Sequence, residues 1–517
     1  MLLYSRKAAH KLIDPFTSIS NFWNTLTSFI PILAWLPKYE VKKCLLNDVI
    51  GGFTTGIMHI PQGIAYATLS GVDPVYGLYS SFFPPLFYMI FGSSRHCSIG
   101  SFAVIALMSG IANDKVMSKY GSVQDPEAEL NNSTAIDSFN TVTPIQVAST
   151  LTFALGILQL AAGFLRLEFL TTYFSDQLVA GYTTGSAVHV IIGQIDDILG
   201  IKVPKASGPG YLFRRVYDLI IRLPKANVFT LIISCLSMLF LYVGKEYINP
   251  LVNRCLPFKL PIPYEIILIA VGAAVSHVAD FHGVYNTPIV GQVPSGMPMP
   301  RAPVFRILSD CFVSIAGVAV VSIAVHISMA KVLANKYKYK IDPGKEFYAL
   351  GLTSTLSGFF PVYPTGTALG RTMVNVESGS KTQVTFNTCC LEVFRFKLQM
   401  ITYYLLIQQC ILSAIIVMAL KSMLWKLTEL KHLWPVSKID FVSTIFLTFI
   451  FLFDPESGLI SAIRYQFALF DIRLQYIWLF AFVVTVAVDV MEGLALSILF
   501  ALLTVIFRFQ WFVLIIF

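Results

Sequence analysis

The chain has 517 residues, 56% of them hydrophobic and 13% charged, with a mean hydropathy of +0.70 and a formal net charge of +8. Soluble domains carry roughly 25% charged residues, so this composition leaves too little polar surface to cover the apolar bulk, and it excludes intrinsic disorder as well. At about 20 residues per span, the length holds a dozen or more membrane helices with modest loops, which reads as an all-α polytopic membrane protein.

Residues 1–47 are mixed and basic, with Arg6, Lys7, Lys11, Lys38, Lys42 and Lys43 against Asp14 and Glu40, and read as a cytosolic N-terminal segment. Their first 30 residues lack the basic start, apolar middle and small-residue cleavage site of a secretory signal. Positive charge lies beside apolar runs along the whole chain, which suits an anionic cytosolic leaflet and gives no sign of a nucleic-acid partner. The eight cysteines sit in or beside apolar runs, so no disulfide framework is expected.

Apolar segments follow at about 48–70, 75–91, 98–112, 144–165, 170–200, 227–244 and 264–278. After a loop at 279–306, seven more run at about 307–335, 346–360, 365–378, 383–407, 408–424, 477–490 and 492–509. About 14 spans thus fall into two repeats, 48–278 and 307–517. An odd number of spans per half inverts the second half against the first, as in many secondary transporters.

Charge sets the orientation. The 113–142 loop has Lys115 and Lys119 against Asp114, Asp125, Glu127, Glu129 and Asp137, and carries two overlapping glycan acceptor triplets starting at Asn131 and Asn132. It belongs outside, and cytosolic termini follow; the basic stretches 331–340 and 421–438 then fall inside and the 279–306 loop is extracellular. The 201–226 segment conflicts with this, because it counts as exterior yet holds Lys202, Lys205, Arg214, Arg215, Arg222 and Lys225. Within it, Tyr211–Arg222 has the pattern of an amphipathic helix lying in an interface.

Two segments at matching positions of the halves are unlike ordinary spans. The third opens with Cys97-Ser98-Ile99-Gly100-Ser101-Phe102 and the tenth with Pro361-Val362-Tyr363-Pro364-Thr365-Gly366-Thr367. Each leaves only about a dozen residues to cross about 30 Å, too few for a continuous helix. Broken backbone at membrane depth is tolerated where it lines a cavity. A matched pair of half-helices aims free N–H groups and positive dipole ends at one central point, which attracts anions. The same pattern also suits two loop-flanked interfacial helices with no ligand.

Arg371 lies in the tenth segment, where a cation costs roughly 2.5–3.5 kcal/mol on insertion scales and so marks function, unless it snorkels to the interface. Gln62, after Pro61, can bond a ligand or a neighbouring helix, and Tyr66 and Phe102 can be site aromatics or packing. His59, His189 and His326 are isolated in apolar runs, have no second ligand at metal spacing, and read as core histidines. Asp196 and Asp197 are expected at the water interface. Nucleotide-binding and hydrolase motifs are missing, which speaks against a pump or an enzyme and implies no cofactor.

The stretch 48–108, with PVYGLYSS (74–81) and GSSRHCSIG (92–100), resembles the sulfate permease family of anion transporters, in its animal branch that includes pendrin and prestin. A second stretch, 327–352, with GSKTQ (379–383), resembles its second half. The resemblance implies inverted repeats arranged as a core and a gate domain, half-helices at spans 3 and 10, a homodimer, and a place in the plasma membrane. By position it puts the anion site on Gln62, Tyr66, Phe102 and the backbone of Ala368, Leu369, Gly370 and Arg371, with the Arg371 side chain nearby. The family's Ser-Arg-Ser stands here as Gly370-Arg371-Thr372, and Val325 replaces the carboxylate of proton-coupled members. Residues 385–407, with Glu392, Arg395 and Lys397, are anomalous for an eleventh span. Residues 441–476 interrupt the family spacing, and the chain ends at Phe517 where relatives continue into a STAS domain.

The resulting expectation is a secondary-active exchanger of sulfate, chloride, bicarbonate or oxalate, working by alternating access with the lipid bilayer as its surroundings. A channel-like chloride conductance and a voltage-driven motor or non-transporting protein remain as alternatives on the same fold.

Overall fold

The computed structural model describes residues 29–120, 142–168, 176–201, 210–255, 262–289 save 286, 297–399, 408–425 and 473–516, with a few isolated positions between them. In the first half the helices are α1 (Val41–Leu69), α2 (Val75–Phe91), α3 (Ala103–Tyr120), α4 (Pro144–Phe164), α5 (Asp176–Leu199), α6 (Tyr211–Arg222), α7 (Val228–Val243) and α8 (Tyr264–Ala279). The second half supplies α9 (Leu308–Tyr337), α10 (Pro343–Ser357), α11 (Leu369–Glu377), α12 (Val384–Gln399), α13 (Gln409–Leu424), α14 (Arg473–Ala487) and α15 (Val490–Ile516). Two strands, β1 (Ile99–Gly100) and β2 (Gly366–Thr367), precede α3 and α11.

Local sequence explains several helix starts. Thr143 and Gln146 form a reciprocal capping box before Pro144 in the first turn of α4. The Asn227 side chain accepts from the N–H groups of Phe229 and Thr230 and caps α7. Asp342 accepts from Gly344 N at 3.0 Å before Pro343 opens α10. Among the described residues, four helices are long and apolar enough to cross a membrane by length and composition: Pro144–Phe164, Gln177–Leu199, Val228–Val252 and Phe305–Tyr337.

The helices pack in two groups. One joins α1, α2, α3, α4, α9, α10, α11 and α12, held by the pairs α4–α10, α1–α12, α2–α12 and α4–α9. The other joins α5, α7, α8, α13, α14 and α15 through α5–α14, α5–α13 and α7–α13. Helices α1 to α5 correspond in order to α9 to α13, and α7 and α8 to α14 and α15. On that correspondence α4–α10 recurs as α12–α2 and α5–α14 as α13–α7, which is the mark of two inverted repeats. In the first group α1 and α2 approach so closely that a Cβ on Gly77 would sit 2.0 Å from the Gly63 carbonyl oxygen.

Three expectations shift. Helix α1 begins at Val41, inside the stretch assigned to the cytosolic segment, and α3 runs 18 residues to Tyr120 instead of a dozen. Segment 385–407 is continuous helix over Val384–Gln399, because Phe386, Cys389, Cys390 and Val393 form a buried stripe at helical spacing while Arg395 is exposed. The side chain of Lys397, residues 400–407 and most of 441–476 lie outside the described residues.

Helix α6 spans Tyr211–Arg222 as its periodicity predicts, with Phe213, Tyr217, Ile220 and Ile221 exposed on one side. The Asp196 side chain is 14% exposed and pairs with Arg215 at 2.6 Å, while Tyr211 Oη lies 2.8 Å from His189 Nδ1. One of the cations that conflicts with an exterior placement is therefore neutralised by α5.

Candidate functional site

The interrupted segments meet. β1 and β2 pair antiparallel, Ile99 opposite Thr367 and Gly100 opposite Gly366, and Ala368 N donates to the Ser98 carbonyl at 3.1 Å. Because the strands run in opposite directions, α3 and α11 leave them in opposite directions and their N-termini face each other. Ala368 caps α11 without a side-chain acceptor, and Thr372 N is the donor to Ala368 O. The N–H groups of Leu369, Gly370 and Arg371 therefore have no carbonyl within the helix to bond. In α3 the corresponding bond runs from Ala106 N to Phe102 O at 2.9 Å, and phenylalanine offers no cap either.

The hydroxyl beside Arg371 is already engaged: Ser98 N donates to Thr372 Oγ1 at 3.0 Å, fastening β1 to α11. Gly100 has φ +153°, and a Cβ there would lie 2.4 Å from the His59 ring and 3.0 Å from Arg371 Nη2. Only glycine lets β1 pass so near both side chains.

Arg371 is 1% exposed. Its Nη1 donates to Gln62 Oε1 at 2.8 Å, and its Nε and Nη2, like His59 Nδ1, have no hydrogen-bond partner among the described residues. No carboxylate pairs with it among the described residues. Snorkelling is thereby set aside, since the guanidinium points into the protein.

A cavity of about 930 Å³ lies between the two groups of helices and is walled by Met58, Gln62, Thr183, Val325, Ser328, Leu369, Gly370 and Met418. It reaches the ends of α7, α11 and α13, where Lys245, Glu246, Glu377 and Lys421 line it. The two lysines are matched, Lys421 by Glu246 and Lys245 by Glu265. Among the described residues around the cavity, the positive charge without a carboxylate is that of Arg371, behind Gln62.

Of the residues singled out in the sequence, Gln62, Leu369 and Gly370 line this cavity. Phe102 and Ala368 pack together with Val325 in one buried cluster, and Tyr66 sits in another with Ile60, Ile64 and Tyr363. Arg371 stands one layer behind the wall. Tyr363 escaped notice in the sequence, yet its hydroxyl donates to Ser101 Oγ at 2.7 Å and so braces the turn between β1 and α3. An isolated tyrosine in an apolar run carries no signal of such a role. The three histidines are core groups: His59 bonds Ser98, His189 bonds the Thr485 carbonyl, and His326 bonds Glu346. Asn131 and Asn132 lie outside the described residues.

The sulfate permease family signature matches residues 45–447. The chain belongs to the sulfate permease family. Sulfate permease family protein 3 of Caenorhabditis elegans is 37% identical over 523 residues, covering 94% of this chain and 62% of that protein. The sulfate transporter of Equus caballus is 33% identical over 430 residues, covering 81% of this chain and 58% of that protein. The chain thus spans about three fifths of the length of these relatives. Among solved structures, murine solute carrier 26 family member A9, described as an anion transporter in the inward-facing state, superposes with a TM-score of 0.78 at 28% identity. That superposition covers 95% of this chain and 73% of that one, so membership extends to the helical architecture of the family's membrane part.

Proposed function

We propose that this member of the family is a secondary-active transporter that exchanges small inorganic anions, with sulfate, chloride, bicarbonate and oxalate as candidate substrates. One observation carries the reading: a fully buried arginine, without a carboxylate partner among the described residues, stands beside two uncapped helix N-termini that face each other at a cavity wall. A buried charge is costly unless it is paired, and the N–H groups around it are donors that only an acceptor can satisfy. A small anion supplies both. Gln62 places its amide at the cavity while Arg371 holds its carbonyl, so the anion rests on Gln62 and the backbone of Ala368–Arg371, with Tyr66 and Phe102 shaping the apolar surround.

The cavity lies between the two groups of helices, which act as core and gate: motion of the anion-bearing group against the other turns one site from one face to the other. With the N-terminus in the cytosol, the ends of α7, α11 and α13 are cytosolic and the structure is inward-open. The protein works as a homodimer in the plasma membrane, with both termini cytosolic.

The test is uptake of labelled sulfate into proteoliposomes holding the full chain. Uptake that saturates and requires internal chloride or sulfate supports exchange. Unitary currents without counter-anion dependence would instead identify a channel.

A further inference from the structure

Away from the cavity, a cluster of buried polar groups converges on one carboxylate. Glu346, in the first turn of α10, is wholly buried. Its Oε1 accepts from the backbone N–H groups of Ser93 at 3.0 Å and Ser94 at 2.9 Å, and from the Ser93 hydroxyl. Its Oε2 accepts from the Tyr88 hydroxyl at 2.9 Å and lies 2.7 Å from His326 Nε2. On the far side of the same ring, His326 Nδ1 is 2.6 Å from Thr367 Oγ1. One tautomer satisfies the chain: Nε2–H donates to Glu346 and Nδ1 accepts from the Thr367 hydroxyl.

The ends of this chain are what matter. Ser93 and Ser94 lead into β1, and Thr367 is half of β2. A single carboxylate therefore holds the approach to one strand directly and the other strand through one imidazole. The helix does not need the charge for itself, since Asp342 already caps α10. His326 is also turned away from the cavity that its neighbour Val325 lines. Burying a carboxylate is costly without several donors, and three of the donors here, the Ser93 and Ser94 N–H groups and the Ser93 hydroxyl, belong to the segment that leads into β1, while Tyr88 on α2 and His326 on α9 supply the rest.

We propose that Glu346, acting through His326, is a positioning residue that fixes the spacing of the two facing helix N-termini and thereby sets anion affinity. The affinity part rests on the anion site proposed above, while the spacing part stands on the geometry alone.

The experiment uses the full chain in two measurements. The first is the sulfate concentration that gives half of the sulfate-induced rise in melting temperature, in wild type, Glu346→Gln, Glu346→Ala, His326→Gln, Thr367→Val and the double variant His326→Gln/Thr367→Val. His326→Gln and Thr367→Val each cut the same link, so each should raise the half-saturating concentration about tenfold, and the double variant no further than either. Glu346→Gln keeps an acceptor for the two N–H groups and should shift less than Glu346→Ala. The second is the distance between spin labels at Lys115→Cys on α3 and Glu377→Cys on α11, with the accessible native cysteines replaced. It should broaden in His326→Gln even without anion. A distance distribution as narrow as wild type, or effects of the two link variants that multiply in the double variant, overturns the inference. If the distance broadens but wild type itself responds to neither sulfate nor chloride, the positioning stands and the anion reading falls.

Discussion

Gln62 and Arg371 are 309 residues apart in the chain, yet Arg371 Nη1 donates to Gln62 Oε1 at 2.8 Å just behind the cavity wall. The guanidinium thus orients the amide that faces the cavity. Hydrogen bonds to a charged group contribute about 1.5–3 kcal/mol. Arg371→Gln should weaken binding of both chloride and sulfate roughly tenfold or more, while surface expression holds because a buried unpaired charge is removed. Arg371→Lys keeps the charge and one donor for Gln62, so it should recover most of both affinities. A loss confined to sulfate in the lysine variant would show that the fork reaches the anion directly. Paired chloride and sulfate flux, normalised to surface protein, separates these cases.

Gly370 gives a second test. A Cβ there would meet nothing within 4 Å, and the residue lines the cavity. Gly370→Ser therefore fits without strain and adds a hydroxyl donor beside the free N–H groups. Sulfate affinity should rise a few-fold, since one hydrogen bond is worth about 0.5–1.5 kcal/mol. Half-saturation of sulfate exchange measures it, and an unchanged value would place the anion away from the first turn of α11.

Val325 occupies the cavity wall with no titratable group. Anion flux should depend on a counter-anion and respond little to an imposed pH step. Val325→Glu should add a proton requirement, seen as sulfate uptake stimulated by acid on the side the cavity faces. Strong proton stimulation already in the wild type would contradict the assignment for a substrate other than bicarbonate.

The exterior placement of the 113–142 loop has a direct readout. An Asn131→Gln/Asn132→Gln variant should lose any N-glycan, seen as a gel shift matching enzymatic deglycosylation of wild type. A glycan that survives both substitutions would reverse the orientation, and the cavity would then open to the exterior.

Much of this architecture was legible because it is written in local chemistry. Polar, glycine-bearing openings at Ser98–Phe102 and Pro361–Thr367 marked the strands before α3 and α11, and the spacing of Tyr211–Arg222 marked α6. What stayed hidden depends on distance in the chain. Nothing local to Arg371 says that its fork turns to Gln62 rather than to the cavity, or that Thr372 is spent on Ser98 N. Glu346 and His326, twenty positions apart, resemble an ordinary helix-start acid and a core histidine until the fold brings Ser93, Ser94 and Thr367 to them. The charges of α12 misled for a related reason. Hydropathy averages over all sides of a helix, whereas Phe386, Cys389, Cys390 and Val393 needed only one.

The pairing of β1 with β2 has a consequence for biosynthesis. Ser98 N waits for Thr372 Oγ1, 274 residues later in the chain, and at about 5–20 residues per second a ribosome needs roughly 15–55 s to supply it. Through that interval the backbone of Ser98–Phe102 has no strand to bond, in a solvent where an unsatisfied N–H or C=O costs several kcal/mol. The nascent first half must therefore keep this segment wet or shielded by the insertion machinery until the second half arrives. A ribosome stalled before Thr367 should leave Ser98–Phe102 open to labelling from water, and release past α11 should close it.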